Sequence, residues 1–206
     1  MTQKGASQPP RADVNHSAGQ NAGRLFIVSA PSGAGKTTLC EAVRNHFNEL
    51  AYSISYTTRA KRKGERHAVD YYFISRAEFE QGIGQNRWAE WAEVHGNYYG
   101  TSARWIERNL KKGANILLDI DVQGMRKLLK QFPEAVTIFI AAPSMEELRH
   151  RLEKRAADDA RTIELRMANA EAEMKQQDRY RHVVINDDLA DARQRLISIL
   201  KRYMRP

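Results

Sequence analysis

The chain has 206 residues, of which 42% are hydrophobic and 28% charged, and its formal net charge is +8. This composition is typical of a globular protein with one substantial core and excludes a largely disordered chain. No stretch has the roughly 20 apolar residues of a membrane helix, no apolar signal segment is visible, and the single cysteine, Cys40, excludes an internal disulfide.

We therefore expect a cytoplasmic protein without a membrane partner. The positive charge favours an anionic ligand, either nucleic acid or a phosphorylated small molecule. Residues 1–23 are rich in small and polar side chains, so burial cannot offset the entropy lost on ordering. We interpret 1–23 as a flexible tail and 24–206 as one domain.

A phosphate-binding motif, the P-loop, joins the first predicted strand, at 24–29, to a helix predicted from about Lys36. The segment matches the form G-x-x-x-x-G-K-[ST], with Ala30 replacing the first glycine. Glycines let backbone N–H groups face an anion, Lys36 supplies charge for phosphates, and the Thr37 hydroxyl is placed for Mg²⁺. A turn that binds nothing is the alternative, which the order of strand, loop, Lys-Thr and helix disfavours. The candidate ATP-binding residues are Ala30, Pro31, Ser32, Gly33, Ala34, Gly35, Lys36, Thr37 and Thr38.

Short elements are predicted around a basic loop. A strand at 51–56 precedes the polar stretch 57–70, which is typical of a substrate loop. A strand at 71–74 is followed by a short helix that Ser75 caps. The later predictions are an extended segment at 88–94, a tight turn at 96–101 and a helix from about 103 that ends at Gly113.

Two apolar runs, at 115–120 and 136–141, are typical of buried parallel strands. Ser144 and Glu147 predict a capping box for a helix from 145 to about 155.

The last elements are a helix predicted from about 162 to 180, a strand at 183–185 and a final helix. The apolar face of that helix comprises Leu189, Leu196, Ile197 and Leu200. The alternation of strands and helices predicts an α/β fold with a mostly parallel sheet flanked by helices, and with ligands at the carboxyl ends of the strands.

A second phosphate site is indicated within the basic loop and its neighbours. Arg59 and Arg62 carry guanidinium groups suited to a phosphate monoester, and the hydroxyls of Tyr71 and Tyr99 add further donors. This site is distinct from the P-loop, so we expect two phosphorylated ligands.

Together these motifs resemble the guanylate kinase family. The matching segments are Thr57-Thr58-Arg59-x-x-Arg62-x-Gly64-Glu65 with Tyr71-x-Phe73, Gly96-Asn97-Tyr98-Tyr99-Gly100, Leu118-Asp119-Ile120-Asp121 and Asn186-Asp187-Asp188. The resemblance implies a P-loop kinase core, a GMP-binding insertion with antiparallel strands at about 55–101 and a helical lid at about 151–166. It also implies an enzyme that transfers the γ-phosphoryl group of ATP to GMP, with Mg²⁺ as cofactor.

The resemblance assigns roles to the matching positions. Ser55 would contact guanine O6, and the Glu90 carboxylate would accept from guanine N1–H and the 2-amino group. Thr101 would support the base, and Asp121 would lie near the nucleotides. The GMP phosphate would be held by Arg59, Arg62, Tyr71 and Tyr99. Phosphoryl transfer would be assisted by Lys36, Arg151, Arg155 and Arg166. Asp119 with Thr37 would support Mg²⁺, and Asn186 would lie near adenine.

Some of these residues have simpler interpretations. Arg151 and Arg155 could belong to a solvated helix face, Asp121 could begin a helix, and Asp187 and Asp188 could cap the last one. The sequence also departs from the family, because Ala68 stands where glycine is common.

Three other functions remain open at this point. They are a non-catalytic interaction domain that binds phosphorylated peptides, a kinase for a sugar phosphate, and a nucleic-acid-binding protein, although no recognised nucleic-acid motif is present. Oligomeric state is not predicted.

Overall fold

Strands and helices alternate along the computed structural model, which describes residues 23–94, 96–154 and 159–204. In chain order the elements are β1 (Leu25–Ser29), α1 (Lys36–His46), β2 (Ala51–Tyr52), β3 (Tyr56–Thr57), β4 (Tyr72–Phe73), α2 (Arg76–Gly84), β5 (Trp88–Val94), β6 (Asn97–Ser102), α3 (Ala103–Lys111), β7 (Ile116–Asp119), α4 (Val122–Leu129), β8 (Val136–Ala141), α5 (Met145–Lys154), α6 (Ala160–Met174), β9 (His182–Ile185) and α7 (Leu189–Tyr203). No helix within these ranges is both long enough and apolar enough to cross a membrane.

The central sheet has the strand order β2-β7-β1-β8-β9, and all of its strand pairs are parallel. Every residue of β1 and β8 is buried, as expected for strands covered on both faces. Val28 of β1 lies opposite Asp119 of β7, so the loop that follows Ser29 starts beside that carboxylate. The predicted α/β fold with a parallel sheet is confirmed.

Helices cover both faces of this sheet, because successive side chains of a strand point to opposite sides. Phe26 belongs to a buried cluster that includes Leu39 of α1 and Leu196 of α7. Its neighbour Ile27 belongs to a second cluster that includes Met125 of α4. The sheet is therefore covered by helices on both faces, and loops lie at the carboxyl ends of its strands.

A second sheet, with the order β4-β3-β6-β5, forms the predicted insertion. β6 pairs antiparallel with both β3 and β5. Ser75 caps α2 as predicted, since its Oγ accepts from the Glu78 N–H at 3.1 Å. The Phe79 ring of α2 stacks on Trp88 and Tyr98, with centroid separations of 4.4 and 5.1 Å.

Two predictions about this region are wrong. The strand predicted at 51–56 is two strands in different sheets: Ser53 N–H still donates to the carbonyl of Leu117, whereas Tyr56 pairs with Tyr72 and Gly100. A continuous extended pattern does not reveal that the chain leaves one sheet for another. The segment predicted as a tight turn at 96–101 is mostly strand β6, and the reversal is confined to the residues around Gly96, whose φ is +74°.

The helix predicted at 162–180 also differs from the structure. Asp159 caps α6 by accepting from the Thr162 N–H at 2.7 Å, so the helix begins at Ala160. It ends at Met174, and a 3₁₀ turn at Gln177–Arg179 follows.

The predicted apolar face of the last helix is confirmed except at the first residue of the helix. Leu196, Ile197 and Leu200 are buried, but Leu189 is 47% exposed because it occupies the first position of α7, at the rim of a surface cavity.

Candidate active site

The P-loop is shaped by two glycines with left-handed backbone. Gly33 and Gly35 both have φ of +91°, which other residues adopt only with strain. Close packing opposes a side chain at Gly35 as well, because a Cβ there would lie 2.3 Å from Asn186 Nδ2. At Gly33 the packing is tight but less severe, with Leu152 Cδ2 3.0 Å from an added Cβ. Since α1 begins at Lys36, its first N–H groups point towards this loop.

Lys36 and Asp119 form an ion pair at the carboxyl edge of the sheet. Burial lowers the pKa of Lys36, but the Asp119 carboxylate outweighs it and holds the pKa above its ordinary value of 10.5. Lys36 is therefore charged at any physiological pH. Thr37 is exposed at the start of α1, one residue from this pair.

The donor set is compatible with Mg²⁺. A hydroxyl and a carboxylate oxygen are the hard ligands that this ion prefers, and it usually keeps waters and substrate phosphates as its other ligands. Within the ranges the structure describes, no three His, Cys, Asp or Glu side chains converge as a protein-only metal site.

A cavity of about 330 Å³ opens beside the P-loop. Its lining residues are Gly33, Gly35, Thr38, Arg151, Lys154, Asn186, Asp187 and Leu189. Asn186 is buried and its Nδ2 donates to the Ala34 carbonyl at 2.8 Å, so this side chain holds the P-loop backbone from below. Asp188 does cap α7, accepting from the Asp191 N–H at 2.9 Å.

Two arginines of the predicted lid, Arg151 and Arg166, approach this cavity and the P-loop. Arg151 Nη1 donates to the Asn186 carbonyl at 3.0 Å, and its Nε donates to Glu147 Oε1 at 2.7 Å. Arg166 Nη2 donates to the Ser32 hydroxyl at 2.6 Å, which ties α6 to the P-loop. Arg155 lies outside the described residues.

Arg59 is oriented by Glu65, for which the sequence predicts no role. Glu65 receives a two-pronged ion pair from Arg59, with distances of 2.7 and 3.1 Å. The same carboxylate accepts from the Arg62 N–H at 2.7 Å, while the Arg62 side chain is exposed. Glu65 stands in the quoted motif, and its spacing from two arginines was the available signal.

Tyr71 connects this arginine to the P-loop. Its ring contacts Tyr99 edge to face, with centroids 6.0 Å apart, and the Arg59 guanidinium lies 5.5 Å from its centroid. Burial and the Asp119 carboxylate raise the pKa of Tyr71, and Lys36 opposes them. Tyr71, which was predicted to bind the second phosphate, is therefore close enough to Lys36 and Asp119 for their charges to act on it.

Glu90 and Thr101 form a buried polar pair in the second sheet. The register of β5 and β6 places them opposite each other, and Thr101 Oγ1 donates to Glu90 Oε1 at 2.6 Å. Glu90 is only 7% exposed. Burial raises its pKa to about 7, the nearby Asp121 carboxylate adds to the rise, and Thr101 and Lys127 oppose it.

Asp121 begins α4, as its simpler interpretation requires. It caps α4, accepting from the Gly124 N–H at 2.7 Å, and it lies near enough to Glu90 to raise that pKa. Ser55 lies half-buried between β2 and β3, and its carbonyl accepts from the Tyr72 N–H at 2.9 Å.

Glu173 on α6 also lies near Lys36 and Asp121. No pattern in the sequence indicated a role for Glu173. Burial raises its pKa to about 7, while Lys36 lowers and Asp121 raises that value.

Comparison with known proteins agrees with this geometry. The sequence model of a family described as Guanylate kinase matches residues 22–203. The guanylate kinase of Rubrobacter xylanophilus is 47% identical over 182 residues, covering 88% of this chain and 95% of that protein. The guanylate kinase of Geobacter sulfurreducens is 47% identical over 178 residues, covering 86% of this chain and 88% of that protein. The crystal structure of guanylate kinase from Anaplasma phagocytophilum has a TM-score of 0.72 at 34% identity, covering 91% of this chain and 89% of that one. The chain belongs to the guanylate kinase family.

Proposed function

We propose that this protein transfers the γ-phosphoryl group of ATP to GMP, giving ADP and GDP. Family membership supports the reaction. The observation that carries it is the buried pair of Glu90 and Thr101 in the second sheet. Beside that sheet, Tyr71 contacts Arg59 and is close enough to Lys36 for the lysine charge to act on its hydroxyl.

Glu90 accounts for selection of guanine. Its carboxylate would accept from N1–H and the 2-amino group, which are adjacent donors on one edge of the base. Adenine has no N1–H, so it would leave Glu90 Oε2 without a donor, because Thr101 satisfies only Oε1. A buried polar group without its partner disfavours an analogue strongly. Ser55 would complete the recognition at guanine O6.

The GMP phosphate would bind between Arg59, Arg62, Tyr71 and Tyr99. Glu65 already holds the Arg59 guanidinium in one orientation, which reduces the entropy lost when a phosphate binds. The nearness of Tyr71 to Lys36 supports an acceptor phosphate close to the end of bound ATP.

Alignment and charge neutralisation would carry the chemical step, since phosphoryl transfer requires little else from the protein. Lys36 would contact the transferring phosphates, and Arg151, Arg155 and Arg166 would close over them and exclude water. Thr37 and Asp119 would hold Mg²⁺, which supplies further positive charge when bound. The cytoplasmic location and the division into tail, GMP-binding region and lid remain predictions.

Two alternatives fit less well. A phosphopeptide-binding domain needs no triphosphate machinery, whereas Lys36 and Asp119 are paired beside an intact P-loop. A sugar-phosphate kinase would have no base for Glu90 to recognise.

Coupled ADP production tests the proposal directly. The purified protein is assayed with ATP, Mg²⁺ and each of GMP, AMP, CMP, UMP and a ribose bisphosphate. We expect fast turnover with GMP alone. Nucleotide binding without turnover would favour the interaction domain, and turnover on the sugar phosphate would overturn the guanine pocket.

Two variants assign the steps. Lys36→Ala should abolish turnover and retain GMP binding, because Lys36 acts on the ATP phosphates. Glu90→Gln should lower kcat/KM for GMP about a hundredfold and leave the KM for ATP unchanged, since one charged hydrogen-bond acceptor is lost. Glu93→Gln, an exposed change on the same strand, is the matched control and should behave as the parent.

A further inference from the structure

Gly124 lies in direct contact with the carboxylate that would read the base. It is the third residue of α4, and a Cβ built on it would lie 2.8 Å from Glu90 Oε2 and 3.2 Å from Glu90 Cδ. Real Cβ atoms essentially never approach another atom this closely. Any side chain at this position therefore displaces either Glu90 or the helix.

Glu90 has little room to move away. Its other carboxylate oxygen accepts from Thr101 at 2.6 Å, and the side chain is buried. Moving it away from Gly124 would strain this hydrogen bond and change the position of the carboxylate.

The helix is also unable to retreat, because it is fastened to β5 on both sides of Glu90. Gln131, just after α4, donates from Nε2 to the Ala89 carbonyl at 2.5 Å. Lys127 Nζ donates to the Trp91 carbonyl. Both acceptors are the immediate neighbours of Glu90 along the strand, so the helix and the carboxylate are held at a set separation.

Backbone conformation does not explain the glycine. Gly124 has ordinary helical geometry and is not among the glycines with positive φ. Glycine is the least favourable residue in a helix after proline, so alanine would suit the helix better. The carboxylates oppose alanine instead: Glu90 makes the closest approach, and Asp121 Oδ1 would lie 3.3 Å from the added Cβ.

We propose that Gly124 is a specificity-determining positioning residue: the absence of its Cβ sets the position from which the Glu90 carboxylate meets the guanine edge. The inference rests on the proposed function, since it assumes that Glu90 binds GMP. Gly124 contacts Glu90 and acts on the base through it.

Binding measurements on Gly124→Ala test this role. We expect the Kd for GMP, measured by calorimetry, to rise about ten- to a hundredfold, the range for losing a hydrogen bond to a charged group. The Kd for a non-hydrolysable ATP analogue should stay within about twofold, because the P-loop is untouched. Gly84→Ala is the matched control: Gly84 ends α2, and a Cβ there would meet nothing within 4 Å.

A second background separates positioning from general damage. Glu90→Asp has a carboxylate one methylene shorter, which relieves the clash with Ala at position 124. Adding Gly124→Ala to Glu90→Asp should therefore change kcat/KM for GMP less than threefold, and this double variant should fold even where Gly124→Ala alone does not.

The outcomes are distinguishable. Three results would overturn the role of Gly124 and leave the proposed function standing. They are parent-like GMP affinity in Gly124→Ala, an equal loss when Gly124→Ala is added to the parent and to Glu90→Asp, and failure of both Gly124→Ala and the double variant to fold. Absence of GMP binding and turnover in the parent protein would overturn the proposed function itself.

Discussion

Because Glu90 is buried, we expect GMP binding to depend on pH. Its pKa is raised to about 7, and only the ionised carboxylate can accept both guanine donors. As pH falls below 7, the free protein takes up a proton that GMP binding must displace. We predict that the Kd for GMP rises about tenfold between pH 8 and pH 6, measured by calorimetry.

Glu90→Gln separates this effect from titration of the GMP phosphate. The variant binds GMP more weakly, but it has no carboxyl group to protonate. A parent and a variant with the same pH dependence would show that Glu90 does not titrate in this range.

Ala68 is a second residue whose local conformation leads to a prediction. Its φ of +61° is left-handed, a conformation that disfavours every residue with a Cβ. Ala68→Gly should increase the free energy of unfolding by about 0.5–1 kcal/mol in urea denaturation, since relief of strain exceeds the added chain entropy. Ala60→Gly, in the same loop without positive φ, should decrease it. Equal losses in the two variants would contradict this account.

Asn186, in the link between β9 and α7, connects that link to the P-loop and to α5. Its side chain binds the P-loop at Ala34 and its carbonyl receives Arg151 from α5. Asn186→Ala leaves the Ala34 carbonyl without this donor. We predict a loss of about 1–3 kcal/mol in unfolding free energy and a KM for ATP raised about tenfold, with GMP affinity unchanged.

Asn109→Ala is the matched control for this element. Asn109 also donates from Nδ2 to a backbone carbonyl, that of Trp105 within α3, at 2.8 Å. It should lose stability without affecting ATP. If both variants raised the KM for ATP equally, the effect would reflect general stability, and the link would have no special role.

The whole molecule places the two proposed nucleotide sites on different sheets. Amide hydrogen exchange can therefore distinguish them. We predict that GMP slows exchange in β5 and β6, whereas a non-hydrolysable ATP analogue slows it in the P-loop and at the start of α1, because bound ligand suppresses local opening. AMP in place of GMP should leave β5 and β6 unprotected. Protection by GMP at the P-loop alone would contradict the two-site arrangement.

Features that are local along the chain could be predicted from the sequence alone. The P-loop is one contiguous strand, loop and helix, so its residues and its fold could be predicted together. The buried strands at 115–120 and 136–141 and the Ser75 cap followed from apolar runs and capping chemistry, and the family motifs identified Glu90, Thr101 and Asp121 as candidates.

The way in which those candidates contact one another depends on the tertiary structure. Four features were not predicted. They are the passage of the 51–56 segment from one sheet to the other, the strand at Asn97–Ser102, the hydrogen bond from Asn186 to Ala34 and the contact of Gly124 with Glu90. Each depends on strand register or helix packing between residues distant in the chain. A local pattern states which residues prefer to be buried or to bend, but it does not state which distant partner they meet.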